Sequence, residues 1–146
     1  MVARLHRIGV KHLSVVPDEH SRGRVEIGPR GRAVNHVVML WAGPLAEERA
    51  VGLWSCRADL TEHLERGYLR SWVGDSGYIR DATLAMCTSE RTAMAFTSYL
   101  RLCALDILQR PELWAQVVAV ANGLWEHDEL SGRRFHAICR AVGADR

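Results

Sequence analysis

Val10-Lys11-His12-Leu13-Ser14-Val15-Val16, Arg24-Val25-Glu26-Ile27 and Gly28-Pro29-Arg30-Gly31 are the stretches on which the fold turns. In the first, Val10, His12, Ser14 and Val16 alternate with Lys11, Leu13 and Val15, and β-branched residues are frequent enough to predict a strand. Pro17-Asp18-Glu19-His20-Ser21-Arg22-Gly23 has turn chemistry, so Arg24 to Ile27 reads as a short second strand that can close a hairpin. Gly28-Pro29-Arg30-Gly31 then ends strand structure abruptly. Upstream, Ala3 to Ile8 resembles the last turns of a helix. Downstream, the remaining chain reads as helical.

The first long helix is predicted from Arg32 to Val51, where Val34, Val37, Val38, Trp41 and Leu45 recur at helical spacing. Pro44 should bend or interrupt it, and Gly43 removes a side chain so that another backbone can approach. Between Gly52 and Gly77 the pattern is irregular, with a short helix around Leu60 to Arg66. Asp75-Ser76 opens a capped region that continues as helix from Asp81 to Cys87. Thr92 to Gln109 is strongly apolar and stops at Pro111, which suits the first turn of the next helix, before Leu113, Trp114, Val117, Val118 and Leu124. Ser131-Gly132 caps a final helix through Phe135, Ile138 and Val142. The expected fold is α+β and mainly α-helical: a helical bundle with a small two-stranded β element near the N-terminus, in one domain spanning 1–146.

Composition agrees with a globular chain. The 146 residues are 48% hydrophobic and 25% charged, ordinary values that exclude disordered, collagen-like and coiled-coil classes. A chain of this length buries roughly 70% of its unfolded surface and needs no metal or disulfide to hold a core. The net charge of +2, with both signs interspersed, argues against nucleic acid as partner, which would call for a concentrated basic stripe. No apolar run suffices for a secretory signal or a membrane span. Cys56, Cys87, Cys103 and Cys139 form no C-x-x-C pair and read as free, mostly buried thiols, so a cytoplasmic location is expected.

Local catalytic motifs are absent: the sequence has no P-loop, no G-x-G-x-x-G, no G-x-S-x-G and no H-E-x-x-H. Asp59-Leu60-Thr61-Glu62-His63 has the spacing of an inverted zinc motif with Asp in place of the first His, but a solvated helix face explains it more simply. His36 and His136, near apolar stripes, read as structural, and His20 as a surface residue. Glu47 and Glu48 point about 100° apart on a helix and cannot form a facing catalytic pair, so they are read as helix-end packing and solvent contact. Trp41, Trp54, Trp72, Trp114 and Trp125 are core or interface anchors rather than a base-stacking surface.

Two longer patterns say more. Leu40-Trp41-Ala42-Gly43-Pro44-Leu45-Ala46-Glu47-Glu48 resembles the L-A-G-x-x-A-E-E stretch of the FtsH-type zinc peptidases, and Ser76-Gly77-Tyr78-Ile79-Arg80-Asp81-Ala82 resembles that family's S-G-x-x-x-D segment. The strand region before them and the late helices fall in the family's order, so the resemblance covers most of the chain. It looks most like the stand-alone relatives without an attached ATPase. In that family a helix bearing H-E-x-x-H holds zinc and activates water, a later Asp is the third ligand, and an edge strand pairs with an extended peptide. The resemblance implies Asp81 as the metal ligand and Gly23, Arg24 and Val25 as the substrate-binding edge.

The H-E-x-x-H helix would lie immediately before Met1. The expectation is therefore a zinc metallopeptidase-like domain, truncated and inactive as given, with peptide or protein as substrate and zinc not bound by this chain alone. The alternative is a non-catalytic helical protein-interaction or oligomerisation module. A homo-oligomer is compatible with either, because a missing first helix would expose apolar surface.

Overall fold

The computed structural model describes residues 2–16, 23–28, 31–50 and 73–144. In chain order the elements are α1 (Val2–Leu5), β1 (Val10–Ser14), β2 (Arg24–Ile27), α2 (Ala33–Ala50), α3 (Val73–Met86), α4 (Glu90–Gln109), α5 (Pro111–His127), β3 (Glu129–Ser131) and α6 (Gly132–Ala144). The fold is thus mainly α-helical with a small β element, as the sequence predicts. Pro17 to Arg22, the short helix around Leu60 to Arg66, Trp54, Cys56, Trp72 and the Asp59–His63 motif lie outside the described residues. The chain divides into two compact units, one of residues 1–32 and 107–146, the other of residues 33–106.

The first unit is built on the sheet. Its strand order is β2-β1-β3, with β1 in the middle and antiparallel to both neighbours. The two strands anticipated near the N-terminus are joined by a third, β3, contributed from the far end of the chain. Only three residues long, β3 offers no period that a sequence pattern could reveal. Its place is set by pairing: Leu130 lies opposite Leu13, and Val15 donates its amide to the Asp128 carbonyl at 2.9 Å. Asp128 turns the chain out of α5 in the left-handed region (φ 56°), and its amide donates to the Leu124 carbonyl at 2.7 Å. Leu130 is 0% exposed and, with Ile8, Leu13, Phe135 and Cys139, belongs to the buried apolar core of this unit. Each such side chain contributes about 1.5–3 kcal/mol relative to exposure.

Serine 131 ends β3 and also caps α6, its hydroxyl accepting from the Arg134 amide at 3.3 Å. The close backbone approach expected at Gly43 occurs instead at Gly132. No described atom beyond its own helix turns lies within 4 Å of a Cβ built on Gly43, whereas one on Gly132 would overlap the Val10 carbonyl oxygen. Helix α6 starts against the backbone of β1, and only a residue without a side chain fits there.

The second unit holds α2, α3 and most of α4. Val37, Val38, Trp41 and Leu45 form the buried stripe of α2, with Ile79 from α3 and Ala93, Leu100, Ala104 and Leu105 from α4 also buried. Pro44 cannot donate to the Leu40 carbonyl, yet helix continues through it to Ala50 without the anticipated interruption. Thr83, buried in α3, donates to the Ile79 carbonyl at 2.8 Å and accepts from the Thr97 hydroxyl of α4 at 3.0 Å. Ser89 caps α4, accepting from the Thr92 amide at 3.1 Å. In α5, Pro111 occupies the first turn as anticipated. Cys87, Cys103 and Cys139 are free thiols, the last buried. No helix of the described residues is long and apolar enough to cross a membrane.

Gly132→Ala should therefore cost at least ~2 kcal/mol, the range of an overpacked core or more, because the obstructing atom is backbone. Chemical denaturation of the variant measures this, and a change below about 0.5 kcal/mol would contradict the close approach. A second expectation concerns His6, whose Nε2 is buried with no hydrogen-bond partner among the described residues. Desolvation lowers its pKa from the ordinary 6.5. The unfolded chain then binds the proton more readily, so this contribution to stability is complete above pH 6.5 and is lost as pH falls from there toward the lower folded-state value. Stability measured across that window should fall in the parent chain and flatten in His6→Gln.

Candidate functional site

The sheet ends on one side at β2, and β1 is its sole pairing partner among the described residues. The ladder fixes which backbone groups face outward. Gly28 donates its amide to the Gly9 carbonyl at 2.6 Å, so within β2 the groups of Arg24 and Glu26 point toward β1 and those of Val25 and Ile27 point away. Register adds the side chains. Val25 lies opposite Leu13, which lies opposite Leu130, so these three share one face in a single row. Leu13 and Leu130 are buried, while Val25 is 55% exposed. The row runs out from the core to an uncovered edge.

The other face is polar. Arg24 lies opposite Ser14 and Glu26 opposite His12, and Arg24 and Glu26 form an exposed ion pair at 3.4 Å. Across β1, His12 Nε2 lies 3.7 Å from Glu129. Gly23, immediately before β2, passes close to β1: a Cβ there would lie 3.0 Å from the Ser14 carbonyl oxygen. The three residues assigned to a substrate edge from sequence thus sit at the sheet's outer strand or its approach. That strand combines outward backbone groups without a partner among the described residues, two apolar side chains and one charge of each sign, a set suited to strand addition.

The two motif stretches lie in the second unit. Leu40 to Glu48 belongs to α2 and Asp81 to α3. Glu47 is exposed, as read from sequence. Glu48 is not: its carboxylate is 11% exposed and lies 3.6 Å from Arg101, itself 8% exposed. The Arg101 guanidinium also lies 6.0 Å from the centre of the Trp41 ring, within cation–π range. Glu48 is therefore a buried structural anion that joins α2 to α4. The sequence carried a signal for this, since Arg101 is a lone cation inside the apolar run Leu100 to Leu105. A cation at such a position requires a partner.

Asp81 points into solvent at 78% exposure, 4.0 Å from its neighbour Arg80. Among the described residues no three His, Cys, Asp or Glu side chains come together as a metal-holding group. One exposed carboxylate does not fit a catalytic zinc by itself, which takes three protein ligands. Of the other histidines, His127 hydrogen-bonds Arg134 and lies 3.6 Å from Glu126 at the exposed end of α5, and His136 lies edge-on to the buried Phe135 ring at 5.1 Å. No family model, no curated protein and no solved structure matches the chain.

Removing Arg101 should test the Glu48 assignment. Arg101→Ala leaves a buried carboxylate uncompensated and is expected to cost about 3–5 kcal/mol. The double variant Arg101→Met/Glu48→Leu should recover most of that loss, since apolar replacement of a buried pair is commonly tolerated. Denaturation of the three proteins gives the comparison, and equal stability of single and double variants would contradict a coupled pair.

Proposed function

We propose that this chain is an FtsH-type zinc peptidase-like domain whose own part in the reaction is to hold an extended peptide along β2. What carries the reading is the outer edge of β2, which no described residue pairs, with Val25 and Ile27 directing their backbone groups away from β1. A peptide strand placed there exchanges main-chain hydrogen bonds with Val25 and Ile27, which is largely independent of sequence. Its apolar side chains continue the Leu130–Leu13–Val25 row. Strand addition also straightens the peptide, the conformation in which a backbone carbonyl is open to attack.

In such a domain zinc supplies a polarised water and a Lewis acid for the scissile carbonyl. Asp81 would be the one ligand contributed by the present residues, and two histidines and a general base would have to come from an H-E-x-x-H segment that the sequence does not contain. The 146-residue chain should accordingly bind peptides without cleaving them. A cytoplasmic setting with protein or peptide as partner, and without nucleic acid or membrane, belongs to the same reading.

Amide NMR with an unstructured, valine-rich peptide of about ten residues provides the test. Titration should shift and protect the Val25 and Ile27 amides, and Val25→Pro should weaken binding at least about tenfold, because proline deletes the outward donor. Peptide that leaves β2 unperturbed would overturn the reading. Joining an H-E-x-x-H helix ahead of α1 should then yield chelator-sensitive hydrolysis that Asp81→Ala reduces. Hydrolysis indifferent to Asp81 would remove the zinc-ligand assignment.

A further inference from the structure

We propose that β2 is self-complementary, and that two copies of this chain pair along it, antiparallel about a twofold axis through Val25. The inference needs only the sheet and stands apart from the peptidase reading. Antiparallel pairing about Val25 brings residue 24 of one copy opposite residue 26 of the other. Arg24-Val25-Glu26 is cation, apolar residue, anion, so Arg24 of each copy faces Glu26 of the second copy. The pair already present within each strand, at 3.4 Å, then alternates in sign with the one across the axis. Four charges form a ring in which each has opposite neighbours.

The backbone supports the same register. Val25 carries the outward-facing amide and carbonyl, so the two Val25 residues exchange both hydrogen bonds on the axis. Two positions away, Ile27 of one copy lies opposite Gly23 of the second, a bulky side chain beside a residue with none. On the apolar face, the row Leu130–Leu13–Val25 meets its own image, and the 55% exposure of Val25 is removed from both copies. Neighbouring registers fail. An axis through Arg24 or Glu26 sets like charges directly opposite each other on the axis.

The contact is isologous, and therefore closes: two three-stranded sheets become one continuous sheet with no further β2 edge to extend. Because β2 spans only Arg24–Ile27, the association is of the weak, concentration-dependent class rather than the obligate one. A peptide strand and a second copy compete for the same edge, so dimerisation masks the site until an extended segment displaces it.

Sedimentation equilibrium from micromolar to millimolar protein tests the pairing. The parent chain should move from monomer toward dimer mass. Arg24→Glu and Glu26→Arg should each weaken self-association at least about tenfold, since both cross-strand pairs turn repulsive. The double exchange Arg24→Glu/Glu26→Arg should restore it. An equimolar mixture of the two single variants should form heterodimers, and Val25→Pro should remain monomeric with an unchanged circular dichroism spectrum. A monomer at every concentration overturns the proposal, as does a dimer indifferent to charge reversal or a double exchange without rescue. Dimers that extended peptides fail to displace would support this pairing while removing the peptide reading. Monomers that bind peptide at β2 would do the reverse.

Discussion

The pairing of Leu13 with Leu130 is the interaction on which the first unit depends. It joins residues separated by most of the chain and puts both side chains in the core. A β1–β2 hairpin alone is marginal in water. With β3 added, β1 packs against α6 while α5 packs on β3, and Gly132 lets α6 begin in contact with the Val10 carbonyl. Removing either feature would leave a short hairpin and two helices without a common core. Closing so long a loop costs entropy that must be met before the contact forms, so β3 is expected to dock late in folding.

The second unit rests on a different kind of constraint. Its helices bury an ordinary apolar stripe, but α2 and α4 also share a desolvated charge pair, Glu48 and Arg101, beside Trp41. Such a pair adds little net stability over apolar packing, yet losing one member is costly. It therefore acts more as a fixture of helix register than as a source of energy. This changes the weight of the A-E-E stretch: its second glutamate serves packing within the unit.

An unprotected sheet edge is a hazard that natural proteins limit by short strands, charged residues and twist. β2 has the first two of these, being brief and carrying Arg24 and Glu26 on its solvent face. The same two charges, being of opposite sign and flanking Val25, do not exclude every partner. In the proposed pairing they set orientation and register, favouring an antiparallel strand that places opposite charges across from Arg24 and Glu26 over one that places like charges there. An edge defended in this way discriminates among strands rather than refusing all of them.

Much of this was legible in the residues. The β1–β2 hairpin, the helical remainder, the stop at Pro111 and the start of α6 at Gly132 follow from local rules: alternation, helical spacing, proline geometry and capping. The edge character of Gly23 to Val25 came from the family resemblance, which local rules do not replace. Tertiary structure alone decided the rest. Glu129-Leu130-Ser131 became a strand because β1 offered a partner, since three residues have no periodicity of their own. The close approach fell at Gly132 and not at Gly43 because a glycine records permission for contact, and only packing chooses which permission is used. Glu48 became a buried ion partner through Arg101, more than fifty residues away, because long-range charge pairing depends on where helices meet. Sequence sets what each segment can do; the burial of shared surface selects which of those options are taken.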